Sequence, residues 1–185
     1  MTSTSYALLG LLAVRPWTTY ELAQQVRRSL NWFWPRAERR LYEEPKRLVA
    51  EGYATATEEF TGRRKRTVYE ITAEGRRALA AWLGEEAAPP TWESEAMVKV
   101  FFADAGDRAA LHATLDAMEA TARSRLAELV ALAEGDAPFP ARRHLSVITL
   151  RLQQEQEQTM IRWVAWARAE VDRWRATDDP GVSYS

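Results

Sequence analysis

The sequence predicts a mainly α-helical protein with one small β-hairpin, divided into two parts by a proline-containing linker. Three observations support this prediction. Apolar residues recur at three- and four-residue spacing over most of the chain, which is the period of an amphipathic helix. Between about residues 53 and 72 the spacing changes to two, as in β-strands. The pair Pro89-Pro90 then interrupts the pattern and marks a domain boundary.

The composition excludes several classes of site. The 185 residues include no cysteine, so disulfides, thiolate metal sites and thiol nucleophiles are excluded. The two histidines, His112 and His144, are too far apart in sequence for a paired metal motif, and we expect no metal or cofactor. Glycine-rich phosphate loops and a G-x-S-x-G motif are also absent, so we do not expect an enzyme. Without an apolar run long enough for a bilayer or a secretory signal, the expected location is the cytoplasm.

The first two helices have clear sequence signals. Residues 5–14 are almost wholly apolar, which favours a helix buried on most sides. Thr18 and Glu21 have the spacing of a capping box, and Trp17 and Leu22 occupy the positions of a hydrophobic staple. A second helix is therefore predicted to begin at this point.

A third helix is predicted from about residue 36 to residue 51, with Gly52 as the residue that ends it. Pro45 lies inside this range and removes one backbone hydrogen bond, which predicts a kink or a late start of the regular helix. The pattern places these side chains inward: Leu41, Tyr42, Leu48 and Val49. It places these side chains on one outward face: Arg36, Arg40, Glu43 and Arg47.

A β-hairpin and a fourth helix follow. Residues 53–60 and 67–72 are rich in β-branched and aromatic residues and are predicted to form two strands. The tip between them is basic, with the run Arg63, Arg64, Lys65 and Arg66. Thr72 can cap a helix over residues 73–84. Three helices followed by such a hairpin is the order of a winged helix-turn-helix.

The chain is therefore divided into a winged helix-turn-helix over residues 1–86, a linker over 87–92, a helical domain over 93–176 and a tail over 177–185. The helical domain is expected to be coiled-coil-like, with helices at 93–103, 107–133 and 141–176. The last helix is too long to be covered by its own domain, which predicts a homodimer. The expected dimerisation residues are Leu111, Leu115, Met118, Leu152, Met160, Trp163, Val164 and Val171. The polar segment 153–158 is interpreted as solvated, with a polar layer in a dimer cavity as the alternative.

The charge is distributed unevenly along the chain. Residues 1–83 hold 14 Lys and Arg against 9 Asp and Glu, whereas residues 84–185 hold 11 against 17. Clustered arginines in a basic winged domain indicate binding to double-stranded DNA, with contacts to phosphates or guanines from the third helix and phosphate contacts from the wing. The candidate DNA-binding residues are Tyr20, Arg36, Arg39, Arg40, Tyr42, Lys46, Arg63, Arg64, Lys65 and Arg66.

Other interpretations of these residues remain open at this point. The arginines of the third helix alternate with glutamates and could form an ordinary surface helix, and the basic tip could be a solvated loop. A winged domain could also serve as a protein-interaction module without DNA binding. Trp32 and Trp34 are harder to assign to a core, and we expect a small aromatic effector, bound between the winged domain and the C-terminal helices, to contact them.

The chain resembles the PadR-like transcriptional regulators, in particular the subfamily with a long helical C-terminal domain. The resemblance rests on Tyr6 to Leu12, Thr19 to Leu22, Leu41-Tyr42, Lys46 to Leu48, Glu51 to Tyr53, Gly62 to Arg66, Tyr69, and Ile71 to Arg76. It implies a dimeric repressor that binds an inverted-repeat operator and is released by a small molecule or a stress signal. It also implies DNA contacts from the third helix and the wing. Pro45 departs from the family pattern, which has a longer aliphatic residue there.

Overall fold

The computed structural model describes residues 1–35, 40, 42–61, 64–136 and 138–181, and only the backbone of Thr61 and Arg64. The chain divides into two compact units, Met1–Pro89 and Pro90–Ser185. Both units are mainly helical, and the N-terminal unit also contains a small antiparallel sheet. The predicted fold class is therefore confirmed.

The elements of the N-terminal unit follow the predicted order, with one addition. They are α1 (Ser3–Val14), β1 (Trp17–Thr18), α2 (Thr19–Arg28), a 3-10 turn (Leu30–Trp32), α3 (Glu44–Ala50), β2 (Ala54–Thr61), β3 (Arg64–Ile71) and α4 (Ala73–Leu83). The addition is β1, which pairs with β3 so that the sheet has the order β1-β3-β2. The predicted two-stranded hairpin is thus the larger part of a three-stranded sheet.

Helix α1 lies at the centre of the N-terminal unit and contacts α3, α4 and β3. Its side chains Leu8, Leu9 and Leu12 are almost completely buried. Burying an aliphatic side chain of this size contributes about 1.5–3 kcal/mol. At one end of α1, Tyr6 stacks on Trp82 of α4 with ring centroids 4.7 Å apart. The all-apolar sequence of α1 therefore reflects burial on several sides.

Strand β1 exists because Trp17 belongs to the core. Its side chain is buried, and its indole Nε1 donates a hydrogen bond to the Leu11 carbonyl oxygen at 2.7 Å. This anchor holds Trp17 and Thr18 extended beside Tyr69 and Val68 of β3. A two-residue strand has too short a pattern to be recognised in the sequence.

Three residues predicted to cap helices in the N-terminal unit are confirmed. At the start of α2, the Thr18 side chain accepts from the Glu21 backbone and the Glu21 side chain accepts from the Thr18 backbone. At the end of α3, Gly52 has φ +79°. Its N–H donates to the Val49 carbonyl and the Tyr53 N–H donates to the Leu48 carbonyl, which is a Schellman motif. Thr72 caps α4 by accepting from the Gly75 N–H.

The C-terminal unit contains three helices among its described residues: α5 (Glu95–Phe101), α6 (Arg108–Glu134) and α7 (Arg143–Arg173). The 3-10 turns Ala103–Ala105 and Pro140–Arg142 connect them. Helix α7 has 31 residues and is therefore about 46 Å long at 1.5 Å per residue. Among the described residues, no helix of either unit combines the length and the apolar character that crossing a membrane requires.

Helices α6 and α7 pack against each other along one hydrophobic cluster. Its buried members are Leu111, Leu115, Met118, Val164, Ala167 and Val171, with Met160 and Trp163 packed against it. Five of the residues expected between two copies are therefore buried within a single copy, where they hold its own helix pair together. Of the eight expected dimerisation residues, Leu152 is the one that is largely exposed, at 58%. The expectation that α7 lacks cover within its own chain is thus wrong for its C-terminal half.

Ion pairs also join α6 to α7. Arg168 of α7 bonds to Asp116 at 2.5 Å and to Glu119, and Arg125 of α6 bonds to Glu157 at 2.5 Å. Hydrogen bonds from Arg123 and Arg168 lower the pKa of Glu119. Within the polar segment 153–158, Gln153 is buried and Glu157 is largely covered by α6. The interpretation of this segment as solvated is therefore wrong, because one side of it faces α6.

Two helix glycines of the N-terminal unit provide a matched test of packing. A Cβ at Gly75 would lie 2.1 Å from the Tyr53 carbonyl oxygen, so Gly75→Ala is expected to lower the free energy of unfolding by about 1–3 kcal/mol. A Cβ at Gly10 meets no described atom within 4 Å, and Gly10→Ala is expected to raise it by about 0.5–1 kcal/mol. Denaturant unfolding measures both variants, and equal effects would contradict the prediction.

Candidate nucleic-acid interface

The first candidate residue, Tyr20, lies in the first turn of α2. Its side chain is 68% exposed, and its hydroxyl oxygen accepts a hydrogen bond from Gln24 Nε2 at 3.0 Å. The turn is fixed by Glu21, whose carboxylate accepts from the backbone N–H of Thr18 at 2.8 Å and from its hydroxyl at 2.7 Å. These hydrogen bonds from Thr18 lower the pKa of Glu21. Tyr20 is therefore presented outward from a well-anchored turn.

Among the described residues, the predicted third helix has its regular part at Glu44–Ala50. Residues 40, 42 and 43 form turns, and the regular helix α3 begins at Glu44, with Pro45 in its first turn. A proline is tolerated there because the first N–H groups of a helix have no partner within it. For the described residues, the late start of the regular helix expected from Pro45 is therefore confirmed. Arg36, Arg39 and Leu41 lie outside the described residues.

Three candidate residues around α3 are exposed: Arg40, Tyr42 and Lys46. Tyr42 was expected to point inward, but it is 68% exposed because it precedes the helix and lies off its apolar face. Lys46 is exposed on α3, whereas Leu48 is completely buried. The helix therefore presents a cation and a neighbouring phenol to the surface while Leu48 anchors it to the core.

Arg47 differs from the prediction of a fully outward side chain. Its guanidinium donates a hydrogen bond through an Nη atom to the Ser5 Oγ of α1 at 2.9 Å. It also forms ion pairs with Glu44 at 3.2 Å and with Glu51 at 3.2 Å. Arg47 therefore connects α3 to α1.

Ser5, Glu44 and Arg47 form a partly buried polar cluster between α1 and α3, which we call the Ser5 cluster. The Ser5 hydroxyl donates to Glu44 Oε1 at 2.5 Å and accepts from the Thr2 N–H at 2.8 Å. Ser5 is completely buried and Glu44 is 3% exposed. Buried hydrogen bonds to a charged group contribute about 1.5–3 kcal/mol each, and leaving one partner unsatisfied costs at least as much. The cluster therefore fixes where α3 begins relative to α1.

Sequence reasoning missed the Ser5 cluster. Ser5 was included in an apolar helix and Glu44 was counted among surface glutamates. The available signal was a hydroxyl at the start of a helix with few polar side chains, together with a glutamate directly before a proline. Neither residue indicates the other, because they are 39 positions apart in the chain.

The wing is built differently from the flexible basic tip that was predicted. Strand β3 begins at Arg64, so Lys65 and Arg66 lie within the strand and pair with Phe60 and Glu59 of β2. Gly62 and Arg63 lie outside the described residues. The backbone pairing of β2 with β3 extends to Thr61 and Arg64, so Lys65 and Arg66 belong to the strand and not to the loop.

Each described cation of the wing is paired with a glutamate of β2. Lys65 Nζ lies 2.6 Å from Glu58 Oε1, and an Arg66 Nη atom lies 2.6 Å from Glu59 Oε2. All four side chains remain 43–61% exposed. The wing therefore offers cations that other partners can reach but whose charge is already partly compensated.

Trp32 and Trp34 lie after α2, between it and α3. Both are half-buried, and the Trp34 Nε1 donates to the Thr4 Oγ1 of α1 at 3.1 Å. Trp34 thus has a structural role within the N-terminal unit. Among the described residues, no group of His, Asp and Glu is arranged to hold a metal ion. The role of the two indoles toward an effector stays a prediction.

Comparison with known proteins finds one matching family model in each unit. The model of the PadR-like family of transcriptional regulators matches residues 8–81. The model of the virulence activator alpha C-terminal domain matches residues 94–172. The first match includes α2, α3 and the wing, and the second includes all three helices of the C-terminal unit.

Individual relatives agree with these matches. The negative transcriptional regulator PadR of Bacillus subtilis is 30% identical over 99 residues, which cover 52% of this chain and 54% of that protein. The match thus spans about half the length of this curated relative. The crystal structure of B. subtilis PadR in complex with operator DNA has a TM-score of 0.82 at 24% identity, covering 92% of this chain and 100% of that one. The complex of B. subtilis PadR with p-coumaric acid has a TM-score of 0.73 at 23% identity, covering 91% and 98%.

The Ser5 cluster predicts a difference between two serines of α1. Ser5→Ala removes a donor to Glu44 and an acceptor for Arg47, and is expected to lower the free energy of unfolding by about 1–3 kcal/mol. Ser3→Ala changes an exposed serine of the same helix and is expected to alter it by less than about 0.5 kcal/mol. Denaturant unfolding compares the two variants. A Ser5→Ala effect no larger than that of Ser3→Ala would show that the cluster does not hold α3.

Proposed function

We propose that the chain is a member of the PadR-like family of transcriptional regulators and that it binds double-stranded DNA through its N-terminal unit. The observation that carries the proposal is the exposure of Arg40, Tyr42 and Lys46 at the start of α3, within the segment that matches the family. We propose a binding function without catalysis, as expected for a regulator. A cytoplasmic location follows from this proposal, because the protein has to share a compartment with its DNA.

Helix α3 and the turns before it are the proposed reading element. In a winged helix-turn-helix, the third helix enters the major groove and its first residues approach base edges. Arg40 and Lys46 suit this position because a guanidinium or ammonium group bonds to guanine O6 and N7 or to phosphate. The Ser5 cluster holds the start of α3 from behind and supports the precision that base recognition needs.

The wing is the proposed backbone contact. Lys65 and Arg66 are exposed at the outer end of the hairpin, where they would meet phosphates that flank the groove. Arg63 and Arg64 would add to this contact by their place in the sequence. The wing would therefore strengthen binding without contributing much sequence information.

Repression from an inverted-repeat operator is the proposed outcome. The relative from B. subtilis is described as a negative transcriptional regulator, and a dimer with two-fold symmetry matches two half-sites of inverted sequence. The alternative is a winged module that binds another protein. The two functions differ in their response to salt, since only DNA binding releases condensed counterions.

Removing the exposed cations of the reading element should weaken DNA binding. A dimer that contacts about 6–10 phosphates loses affinity with a log–log salt slope of about −5 to −9. Arg40→Gln with Lys46→Gln should weaken binding to a selected duplex about tenfold or more and make the slope shallower by about 3, because two copies each lose two cations. Fluorescence anisotropy over a range of salt concentrations, with a duplex selected from a random pool, gives both values.

Arg77→Gln is the matched control for these substitutions. Arg77 is an exposed arginine of α4 in the same unit, so the variant loses the same kind of charge away from α3. It should bind DNA within about twofold of the original protein. If the double variant behaves like Arg77→Gln, α3 is not the reading element. A protein that binds no duplex at all in low salt would support the protein-interaction module instead.

We propose that two copies associate through the N-terminal part of α7. This part exposes an apolar stripe of Leu145, Val147, Ile148 and Leu152 that its own α6 does not cover. Leu152→Glu should convert the dimer to a monomer in sedimentation velocity at micromolar concentration, because a buried carboxylate without a partner is strongly unfavourable. Ala169→Glu places the same charge at an exposed position of the C-terminal half of α7 and should leave the dimer intact. A monomeric original protein, or an unaffected Leu152→Glu variant, would contradict the proposal.

We also propose a small planar aromatic effector that contacts Trp32 and Trp34. Support comes from the half-exposure of the two indoles and from the p-coumaric acid bound to B. subtilis PadR. Titration with p-coumaric acid should quench tryptophan fluorescence, and Trp32→Phe should reduce this quenching more than Trp166→Phe does, because Trp166 is not one of the two residues proposed to contact the effector. Unchanged fluorescence up to millimolar acid would count against this ligand class.

A further inference from the structure

We propose that Glu58 and Glu59 act as internal competitors of the DNA backbone, holding Lys65 and Arg66 and thereby limiting the sequence-independent affinity of the wing. The proposal rests on the DNA-binding function proposed above and adds a regulation of its strength. The two glutamates are neighbours on β2, and each forms an ion pair with a cation of β3. A phosphate that approaches either cation has to replace a carboxylate that is already bonded to it.

The register of the hairpin places the two pairs on opposite faces. Glu59 lies directly opposite Arg66, whereas Glu58 lies opposite Thr67 and reaches diagonally to Lys65. Since side chains alternate between the two faces of a strand, consecutive glutamates point to different sides. Both faces of the wing therefore carry one compensated cation, and a phosphate meets a carboxylate from whichever side it approaches.

The geometry of the pairs is that of firm but accessible contacts. Arg66 donates through Nε at 3.0 Å and through an Nη atom at 2.6 Å to the same Glu59 oxygen. The Lys65 pair is formed at 2.6 Å. Because all four side chains are about half exposed, water and ions reach them and the pairs can exchange partners. The glutamates can therefore compete with a DNA phosphate for Lys65 and Arg66, and a phosphate can still displace them.

The fold of the wing does not depend on these pairs. Exposed ion pairs add little to stability, and the hairpin is already held by a backbone ladder that extends from Ala54 and Ile71 to Thr61 and Arg64. The effect of the glutamates on DNA binding is different. Each one repels phosphates within a Debye length of about 10 Å at 0.1 M salt and compensates a cation that would otherwise release counterions. Their main consequence is therefore electrostatic.

The test uses the full-length protein and a 30-base-pair duplex of random sequence. Glu58→Gln with Glu59→Gln should bind this duplex about three- to tenfold more tightly at 0.1 M salt. The log–log salt slope should become steeper by about 1–2 per copy, since two cations become available. The selected duplex should gain a similar factor, because phosphate contacts do not distinguish sequences. Thermal unfolding verifies that the variant keeps the fold.

Glu85→Gln with Glu86→Gln is the matched control, since it changes the net charge equally at two exposed residues that follow α4. It should change the affinity by less than about twofold. A Glu58→Gln, Glu59→Gln variant that binds no more tightly than this control, or that keeps the original salt slope, overturns the proposal. Weaker binding by that variant overturns it as well, since the pairs would then organise the wing for DNA.

A double-mutant cycle between Glu59 and Arg66 isolates one pair. Arg66→Gln should reduce affinity for the random duplex more in the Glu59→Gln background than in the original protein, by about twofold or more. Equal losses in both backgrounds contradict the coupling.

DNA binding by the unsubstituted protein distinguishes a failure of this inference from a failure of the proposed function. If that protein binds the duplex with a salt-dependent affinity, a negative result rejects the glutamate competition alone. If it binds no duplex, DNA binding itself is rejected.

Discussion

Helix α1 is buried on most of its sides, and the N-terminal unit is organised around this constraint. Helix α1 contacts α3, α4 and β3, and its leucines are buried, so α3 and the wing both pack against this one apolar helix. A helix in this position cannot leave polar side chains unpaired, because water does not reach them. Ser5 satisfies that requirement through Glu44 and Arg47. The start of α3 is therefore held by hydrogen bonds as well as by apolar packing.

Features that depend on local chemistry were predictable from the sequence. The capping box of Thr18 and Glu21, the glycine that ends α3 and the late start at Pro45 each involve residues within a few positions of one another. Each of these features is caused by residues that are close together in sequence, and a short stretch of sequence is therefore enough to predict it. The order of helices and strands, and with it the fold class, was predictable for the same reason.

Features that depend on distant partners were not predictable. Strand β1 forms because Trp17 is anchored to Leu11 and aligned with Tyr69, which is 52 positions away in sequence. Among the candidate site residues, the exposure of Arg40 and Lys46 was anticipated, whereas the exposure of Tyr42 and the pairing of Lys65 and Arg66 with the neighbouring strand were not. The apolar stripe of α6 indicated a contact surface correctly, but no periodicity distinguishes a helix of the same chain from a helix of another copy. For these pairings, only the folded structure shows which residue or helix is the partner.

The Ser5 cluster also constrains how this sequence can diverge. Losing the serine alone removes the hydroxyl that donates to the buried Glu44 carboxylate, and losing the glutamate alone removes the acceptor of that hydroxyl and one ion-pair partner of Arg47. A single substitution at one of these three positions therefore lowers the stability of the fold. A different set of residues at these positions is reached more easily when all three change together. In an alignment of sequences that share this fold, positions 5, 44 and 47 should consequently vary together, while the exposed positions 40 and 46 are not held by this cluster and can vary independently of it.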